Sequence, residues 1–547
     1  MDYEFLTPKQ IWGNFNPDSE PLEISALSEY TENGVKYTSL YFTAIGSGKR
    51  SKRIRAYGLL AKPNKSNGKA ILYLGSADEH VDKKYLAQFV ERGYITFMVD
   101  YAGGESEFDT VYPEGLEYCN FDRAERHLTH AEPSALHSVW YWWSVIAMRA
   151  VTVLFGVSAE IAVVGVKEAV KMLFQVLAFD RRVKCGCAVL DTYSSEYDGI
   201  FKYGDKKFYI DAERECFISG TSPQSYAQFI KKPLLYIGAT NSEIMDRLGD
   251  IFKKLPKDTQ DVSYHTFSVG NEIVRDYEQN TLFKFLESVF DGRKMMSAPT
   301  LELNVSDGML YAEIGVDPAV DEAEVYLSVG EIDPKVRMWQ QLDVLKISKG
   351  LFIAKIEVNN IDKRIFVFAK SVKDGYTLST REISVIPSEL KVKKSMPFPT
   401  RILYDSSMGR KTLVPLAEHI FLGKKSLILK DGPFGIKGIY CQTKGFSIYA
   451  DGDKSLAGIM WNEIQLDVYT ERSTIISVSC FTQNEGKLDE YTTSIKLIPS
   501  KNWQRISIGE GEFKNTVSHL PLENMMSVKR IDFFNCDGVL FNNILKI

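Results

Sequence analysis

Between residues 36 and 290, short apolar runs alternate with segments that are apolar on one side only. Residues 70–75 (AILYLG) form a continuous apolar run typical of a buried strand, and residues 82–93 (DKKYLAQFVERG) place apolar residues at helical spacing. The same succession recurs at residues 160–165 (EIAVVG) and 169–180 (AVKMLFQVLAFD). Strands without a polar face that alternate with amphipathic helices predict a mostly parallel sheet covered on both faces.

The pattern changes after Gly292, beyond which only short strands and turn residues follow. Residues 298–390 hold runs such as AEVYLSVG and RIFVFAKSV, whose spacing predicts a small immunoglobulin-like β-sandwich. A basic, proline-containing stretch at residues 391–400 is typical of a linker, and the strands of 401–547 predict a jelly roll or larger sandwich. We therefore expect an α/β domain at residues 1–294 followed by two β-sandwich domains.

Composition and charge exclude several classes of partner. With 66 basic and 71 acidic residues the net charge is -5, which provides no electrostatic footprint for nucleic acid or for an anionic membrane. The start MDYEFLTPKQ lacks the apolar core of a secretory signal, and Gly156, Ser158 and Glu160 interrupt the apolar run at 151–166. The seven scattered cysteines predict free thiols in a reducing, cytoplasmic setting. No set of metal ligands or cofactor motif is visible, so we expect neither a metal nor a cofactor.

Residues 161–183 (IAVVGVKEAVKMLFQVLAFDRRV) have the layout of a nucleophile elbow. In the motif G-x-S-x-G, a buried strand enters a sharp turn, the nucleophile stands at its tip, and a helix leaves it. The small residues Gly165 and Ala169 flank the tip here, but the tip itself is Lys167. The geometry of a hydrolase is therefore predicted without its serine.

Five segments in the first 290 residues resemble α/β-hydrolases of the acetyl-xylan esterase, cephalosporin deacetylase and dienelactone hydrolase group. They are AILYLGSADEH, VDYAGGESE, the elbow IAVVGVKEAV, and the later pair PLLYIGATNSE and SVGNEIVRDYEQN. The resemblance implies an α/β-hydrolase domain at residues 1–294. The last domain resembles carbohydrate-binding jelly rolls through WQRISI…GEF and the closing strand VLFNNILKI.

The resemblance also implies where a catalytic triad would stand, in the order serine, acid, histidine. In the T-N-D-E-like run after the penultimate strand, Ser242 occupies the acid position and Glu243 is next to it. In the N-H-x-I-like run after the last strand, Glu272 occupies the histidine position. His265 lies inside the last strand, where packing is the expected role. The triad is therefore absent.

Two interpretations of Lys167 remain. A desolvated lysine can act as a nucleophile through a Schiff base, which requires that no acid hold it charged. Glu272 is expected close to Lys167, because serine and histidine touch in the parental site. We therefore favour an ion pair between Lys167 and Glu272 that fills the old site.

Other candidate residues surround the expected cleft. The backbone N–H groups near Ser76 and Glu168 correspond to an oxyanion hole, and Asp100 and Asp191 stand at carboxyl ends of strands, where ligands bind in open α/β sheets. The loop 100–133 carries His127 and His130 and is a candidate lid. Trp140, Trp142 and Trp143 cannot all face one side of their helix, so one of them is a candidate for another role.

In the last domain, Trp461 and Trp503 are the candidates for stacking on a sugar, although the pattern around Trp503 favours packing. Two functions follow. The first is a degenerate esterase scaffold that binds a glycan or a partner protein without catalysis. The alternative is an active carbohydrate esterase that acts on an acylated carbohydrate with non-standard groups. The sequence does not indicate an oligomeric state.

Overall fold

The structure is a computed structural model, and it describes residues 3–46, 53–104, 108–190, 201–204, 210–270, 273–320, 322–395, 400–410, 413–417, 420–421, 426–450, 460–484 and 487–547. No helix in these ranges combines the length and the apolar character needed to cross a membrane. All seven cysteines lie in these ranges, and each is a buried free thiol.

A nine-stranded sheet organises the first part of the chain, with the order β1-β2-β3-β5-β4-β6-β7-β8-β9. The pairs from β4 onward are parallel, and those among β1, β2, β3 and β5 are antiparallel. The strands are β1 (Ser25–Glu32), β2 (Val35–Ile45), β3 (Ile54–Pro63), β4 (Ala70–Leu74), β5 (Ile95–Val99), β6 (Ile161–Val166), β7 (Val183–Val189), β8 (Leu234–Ala239) and β9 (Tyr264–Ser268).

Helices cover both faces of this sheet, which is why β4, β5, β6 and β8 are buried along their whole length. One face packs against α4, α5 and α8, and the other packs against α2 and α10. The helices are α1 (Pro8–Trp12), α2 (Lys83–Val90), α3 (Phe121–Ala124), α4 (Val139–Phe155), α5 (Val170–Phe179), α6 (Ala212–Thr221), α7 (Pro223–Tyr226), α8 (Ile244–Phe252), α9 (Lys257–Gln260) and α10 (Asp276–Asp291).

A first β-sandwich follows the sheet. Its four-stranded layer has the order β10-β11-β15-β14, and its second layer runs β13-β12-β16-β17, with β18 paired to β16. Apolar side chains of both layers, such as Ile314 and Val367, share one core. The strands are β10 (Thr300–Ser306), β11 (Met309–Gly315), β12 (Glu322–Val329), β13 (Gln340–Leu342), β14 (Val344–Ser348), β15 (Leu351–Ile356), β16 (Ile365–Lys373), β17 (Tyr376–Ser379) and β18 (Ile383–Val385).

A second, larger β-sandwich ends the chain and consists of two six-stranded antiparallel sheets. Phe446 and Phe533 of one sheet meet Phe541 of the other at ring-centroid distances of 5.1 and 5.6 Å, so the sheets pack face to face. The strands are β19 (Ile402–Tyr404), β20 (Leu413–Leu416), β21 (Leu427–Asp431), β22 (Lys437–Cys441), β23 (Gly445–Tyr449), β24 (Glu463–Thr470), β25 (Thr474–Asn484), β26 (Lys487–Leu497), β27 (Gln504–Gly509), β28 (Lys514–Asn515), β29 (Val528–Phe534) and β30 (Val539–Lys546).

The predicted fold class, an α/β-hydrolase domain followed by two β-sandwiches, is confirmed. The helix expected at residues 82–93 is α2, and the strand expected at 160–165 is β6. The sequence pattern did not reveal β1, α6 or α7. Strand β1 is exposed along its whole length, so it has no apolar face by which periodicity could mark it.

Candidate functional site

The elbow has the sharp geometry that its small residues predict. Strand β6 ends at Val166, and Lys167 has a φ of +49°, in the left-handed region that side-chain-bearing residues rarely adopt. A Cβ on Gly165 would lie 3.0 Å from both the Ala169 carbonyl oxygen and the Leu173 Cβ, so only glycine lets α5 leave the turn this close to the strand. The backbone therefore keeps the form of a nucleophile elbow, with a lysine at its tip.

Two carboxylates lie beside Lys167: Glu168 follows it in the turn, and Glu79, like Glu168, accepts a hydrogen bond from Ser76. Burial raises the pKa of Glu79, while the N–H of Ser76 and the charge of Lys167 oppose that rise. Glu272, the predicted ion partner of Lys167, lies outside the described residues. The ion pair between Lys167 and Glu272 stays a prediction. Among the described residues, Glu79 is an acid whose pKa the nearby charge of Lys167 lowers against the effect of burial.

Ser76, at the carboxyl end of β4, makes contacts through both its backbone and its side chain. Its N–H, the predicted oxyanion-hole donor, donates to Glu79 Oε2 at 3.1 Å, and its hydroxyl donates to Glu168 Oε2 at 2.8 Å. An oxyanion hole stabilises negative charge only when its donors are directed at the reacting oxygen. Here the amide of Ser76 is directed at an internal carboxylate.

The acid position lies under the first sandwich. After β8, Asn241 donates through Nδ2 to the carbonyl oxygens of Pro334 and Arg337 at 3.0 and 2.7 Å, and Lys335 pairs with Glu243 at 2.9 Å. Ser242, between these two residues, is 3% exposed. The loop that would present a catalytic acid to a cleft is thus part of a buried interface.

A buried ion cluster fixes this interface from the sandwich side. Arg337 has a fully buried side chain and contacts Asp246 Oδ2 at 2.9 Å and Glu382 Oε2 at 3.0 Å. Its guanidinium also lies 3.5 Å from the centre of the Phe366 ring. Burial, followed by the charge of Asp246, raises the pKa of Glu382, and Arg337 opposes that rise.

The second sandwich covers the flanks of the histidine position. Gly270 follows β9 with a φ of +100°, and a Cβ there would lie 2.3 Å from Val414 Cγ2 of β20. On the other side of residues 271–272, the Val274 N–H donates to the Ile420 carbonyl at 2.7 Å. The described residues on both sides of 271–272 therefore contact the second sandwich.

His265 is a packed residue of β9, as its position in the strand predicts. It is 8% exposed, and its ring lies 5.3 Å from Phe252 and 5.9 Å from Phe267 between centroids. Its Nε2 has no hydrogen-bond partner among the described residues. Burial and then the charge of Arg381 lower the pKa of His265 from 6.5 to about 4. With this pKa the buried imidazole of His265 is neutral at pH 7, and its role is packing.

This histidine gives a testable acid sensitivity. Because its pKa is lower in the folded chain, unfolding takes up a proton below pH 6.5, and its contribution to stability is lost as the pH falls towards 4. We expect up to about 3 kcal/mol of the acid destabilisation to disappear in His265→Phe. Urea unfolding at pH 7.5 and 4.5 measures this, with the exposed His80→Gln as control; an unchanged pH dependence in His265→Phe would contradict it.

Asp100 and Asp191 are the predicted carboxylates of the cleft. Asp100 Oδ1 accepts from the N–H groups of Ala102 and Gly103 at 3.1 and 3.0 Å, and its Oδ2 accepts from the Thr110 N–H at 2.5 Å. Burial raises its pKa, and these N–H donors partly offset the rise. Asp100 therefore shapes its own loop. Asp191 lies outside the described residues.

Residues 115–137, in the later part of the loop after Asp100, form with helix α4 a pocket that the sequence did not reveal. His127 lines this pocket, whereas His130 bonds Thr129 Oγ1 at 2.8 Å and is not part of the lining. Trp140 and Trp143 are buried, and Trp142 is the half-buried exception that faces the pocket. The sequence held one sign of this pocket: Trp140, Trp142 and Trp143 cannot all lie on the same face of α4, so one of them had to lie outside the packed face.

The tryptophans of the second sandwich are largely used in packing. Trp461 is 5% exposed in the core, with Lys546 Nζ 5.7 Å from its ring. The ring of Trp503 lies against Gly432 and Gly438, where an added Cβ would approach it to 2.7 Å. Its Nε1 donates to the Pro433 carbonyl at 3.3 Å. Both contacts agree with the packing role that the pattern around Trp503 favours.

Comparison with known proteins gives only remote similarity. No protein-family model and no curated protein matches the sequence. Acetyl xylan esterase 1 from Thermoanaerobacterium sp. JW/SL YS485 is 16% identical over 53% of this chain and 96% of its own, with a TM-score of 0.37. A glucuronoyl esterase from Solibacter usitatus is 14% identical over 50% of this chain and 88% of its own, with a TM-score of 0.35. At these values the similarity supports no statement about activity.

The fold assignment therefore rests on the molecule itself. The parallel strands β4 to β9 follow the order 5-4-6-7-8-9, helices cover both faces, and a strained turn joins β6 to α5 at Lys167. No three His, Cys, Asp or Glu side chains within the described ranges are grouped in a way that would hold a metal ion. The first part of this chain is an α/β-hydrolase fold with a lysine at the sharp turn between β6 and α5, and two β-sandwiches follow it.

Proposed function

We propose that this protein is a non-catalytic binding protein on an α/β-hydrolase scaffold, with a glycan or a partner protein as its ligand. One observation supports this proposal above the others: the acid loop, with Ser242 at 3% exposure, is buried against the first sandwich. A triad needs its acid and its base to meet at the tip of the elbow. In this chain the first sandwich contacts the loop after β8, and the second sandwich contacts the residues after β9.

The chemistry at the elbow supports the same proposal. Acyl transfer requires a nucleophile, a group that takes its proton, and donors that stabilise the developing oxyanion. The tip of the elbow is Lys167, which carries no hydroxyl nucleophile, and its charge acts on the largely buried Glu79. Glu79 accepts from the Ser76 N–H, so an oxyanion at that place would meet a carboxylate. The elbow therefore has no hydroxyl nucleophile at its tip, and the amide of Ser76 already donates to a carboxylate.

Ester hydrolysis tests the proposal directly. We expect no turnover of 4-nitrophenyl acetate or of acetylated xylo-oligosaccharides above the rate given by the Lys167→Ala variant. The comparison with Lys167→Ala corrects for hydrolysis by surface groups and by trace contaminants. Turnover of the wild type at least tenfold above that of Lys167→Ala would contradict a non-catalytic role.

One contact favours an active esterase as a second candidate. The Ser76 hydroxyl donates to Glu168 at 2.8 Å, so a hydroxyl and a carboxylate are in the relation that a nucleophile and a base require. A carboxylate base would act only with substrates that reach Ser76, which is 5% exposed. Assays from pH 4 to pH 8 decide between the two, because this candidate requires turnover that Ser76→Ala abolishes.

A further inference from the structure

A pocket of about 420 Å³ lies between the loop that follows Asp100 and helix α4. The side chains of its walls are mostly aromatic or aliphatic, with two imidazoles and one carboxylate among them. They include Tyr118, His127, Glu132, Leu136, Tyr141 and Trp142. Ser76 after β4 and the elbow residues Lys167 and Glu168 are not among the residues that line it. This pocket is therefore separate from the parental catalytic site.

Hydrogen bonds within the protein hold the walls of the pocket in place. Three indole N–H groups of α4 hold the loop in place: Trp140 donates to the Leu128 carbonyl at 3.0 Å, Trp142 to the Tyr118 hydroxyl at 3.2 Å, and Trp143 to the Cys119 carbonyl at 2.9 Å. A pocket held in this way loses little conformational entropy when a ligand binds, so the free-energy cost of ordering it is small.

The lining carries little uncompensated charge. Arg126 joins Glu132 to Glu213, with distances of 2.9 and 2.8 Å, so the carboxylate of the pocket already has a cation. Burial, followed by the charge of Arg126, lowers the pKa of His127, which keeps its imidazole neutral at physiological pH. A neutral imidazole both donates and accepts a hydrogen bond. These features favour a neutral ligand with hydroxyl groups over an ion.

The aromatic residues supply flat apolar surface. Tyr141 and Trp142 pack edge to face at 5.0 Å and 74°, and both remain partly exposed. Tyr118 and His127 lie 4.6 Å apart at 33°. The C–H face of a sugar ring packs on such surfaces while its hydroxyls bond to polar edges. The volume suits one or two sugar rings.

We propose that this pocket binds a neutral mono- or disaccharide. The inference deepens the proposed binding function, because it names the ligand class and places the site on the hydrolase domain. The apolar ring face would lie against Tyr141 and Trp142. The hydroxyls would bond to His127, Glu132 and the phenol of Tyr118.

Saturation-transfer-difference NMR and calorimetry with glucose, xylose, galactose, cellobiose and xylobiose test the proposal on the full chain. We expect at least one of them to bind, and Trp142→Ala to weaken that binding at least tenfold. Leu136→Trp fills the pocket without removing an indole contact, so the same loss is expected from a variant that retains the loop. Trp503→Ala, in the second sandwich, should change the affinity less than twofold.

Several results would overturn the proposal. They are the absence of binding by every saccharide, binding that Leu136→Trp leaves unchanged, binding lost only in Trp503→Ala, and tighter binding of tetramethylammonium or acetate than of any sugar. Failure of the non-catalytic proposal is a separate result, because it appears as ester turnover that depends on Lys167 or Ser76. Saccharide binding in the pocket would be unaffected by that outcome.

Discussion

Replacement of Arg337 by methionine should lower the free energy of unfolding by about 3–5 kcal/mol. The side chain of Arg337 is fully buried between Asp246 of α8 and Glu382 of the first sandwich. Methionine fills similar volume and keeps an apolar contact with Phe366, but it leaves two buried carboxylates facing each other without the guanidinium that contacts both. The loss is therefore electrostatic, and urea unfolding followed by circular dichroism measures it.

The matched control is Lys355→Met. Lys355 also pairs with a carboxylate, that of Glu357 at 3.1 Å, but the two side chains are 49% and 54% exposed. An exposed pair of this kind contributes less than about 1 kcal/mol, so this variant should be close to wild type. Asp246→Asn combined with Glu382→Gln should recover part of the loss in Arg337→Met. Equal effects of Arg337→Met and Lys355→Met would contradict a buried ionic cluster at the interface.

The second large effect concerns Gly270, where the second sandwich meets the end of β9. We expect Gly270→Ala to cost about 2–4 kcal/mol, because the new methyl group overlaps Val414 and the positive φ is unfavourable for alanine. Gly292 provides the matched control, since its φ is also positive, at +67°, and nothing lies within 4 Å of an added Cβ. Gly292→Ala should cost only the backbone part, about 1 kcal/mol.

A double-mutant cycle separates the two causes. Val414→Ala removes Cγ1 and Cγ2, the two Val414 atoms that a Cβ on Gly270 would approach most closely. The double variant should therefore lose less stability than the sum of the two single variants by at least about 1 kcal/mol. Additive effects would mean that Val414 does not lie over this loop. They would also remove one of the two contacts by which the second sandwich covers the flanks of the histidine position, the other being the Val274 N–H with the Ile420 carbonyl.

Local pattern was sufficient for much of the fold. The strands β4 and β6 could be predicted from their continuous apolar runs. The helices α2 and α5 could be predicted from the helical spacing of their apolar residues. The elbow could be recognised because Gly165 and Ala169 make the same sharp turn whatever residue stands between them. The left-handed conformation of Lys167 follows from that turn and not from any preference of lysine.

Features that depend on distant contacts could not be predicted. Asn241 meets the carbonyls of Pro334 and Arg337 across more than ninety residues, so nothing near the acid loop reveals that it is buried. The pocket beside α4 depends on the hydrogen bond from Trp142 to the Tyr118 hydroxyl, which joins residues 24 positions apart. The sequence predicts the loss of the triad, whereas the burial of the loop at Ser242 could be seen only in the folded chain.

A fluorophosphonate probe measures the central proposal, that no activated serine remains. The probe reacts with a hydroxyl that a neighbouring base activates, so intact-mass analysis reports any such serine without knowledge of the substrate. We expect no adduct on the native protein after an incubation that fully labels an active serine esterase run in parallel. A single stoichiometric adduct that disappears in Ser76→Ala would contradict a non-catalytic scaffold and establish the Ser76–Glu168 pair as the working site.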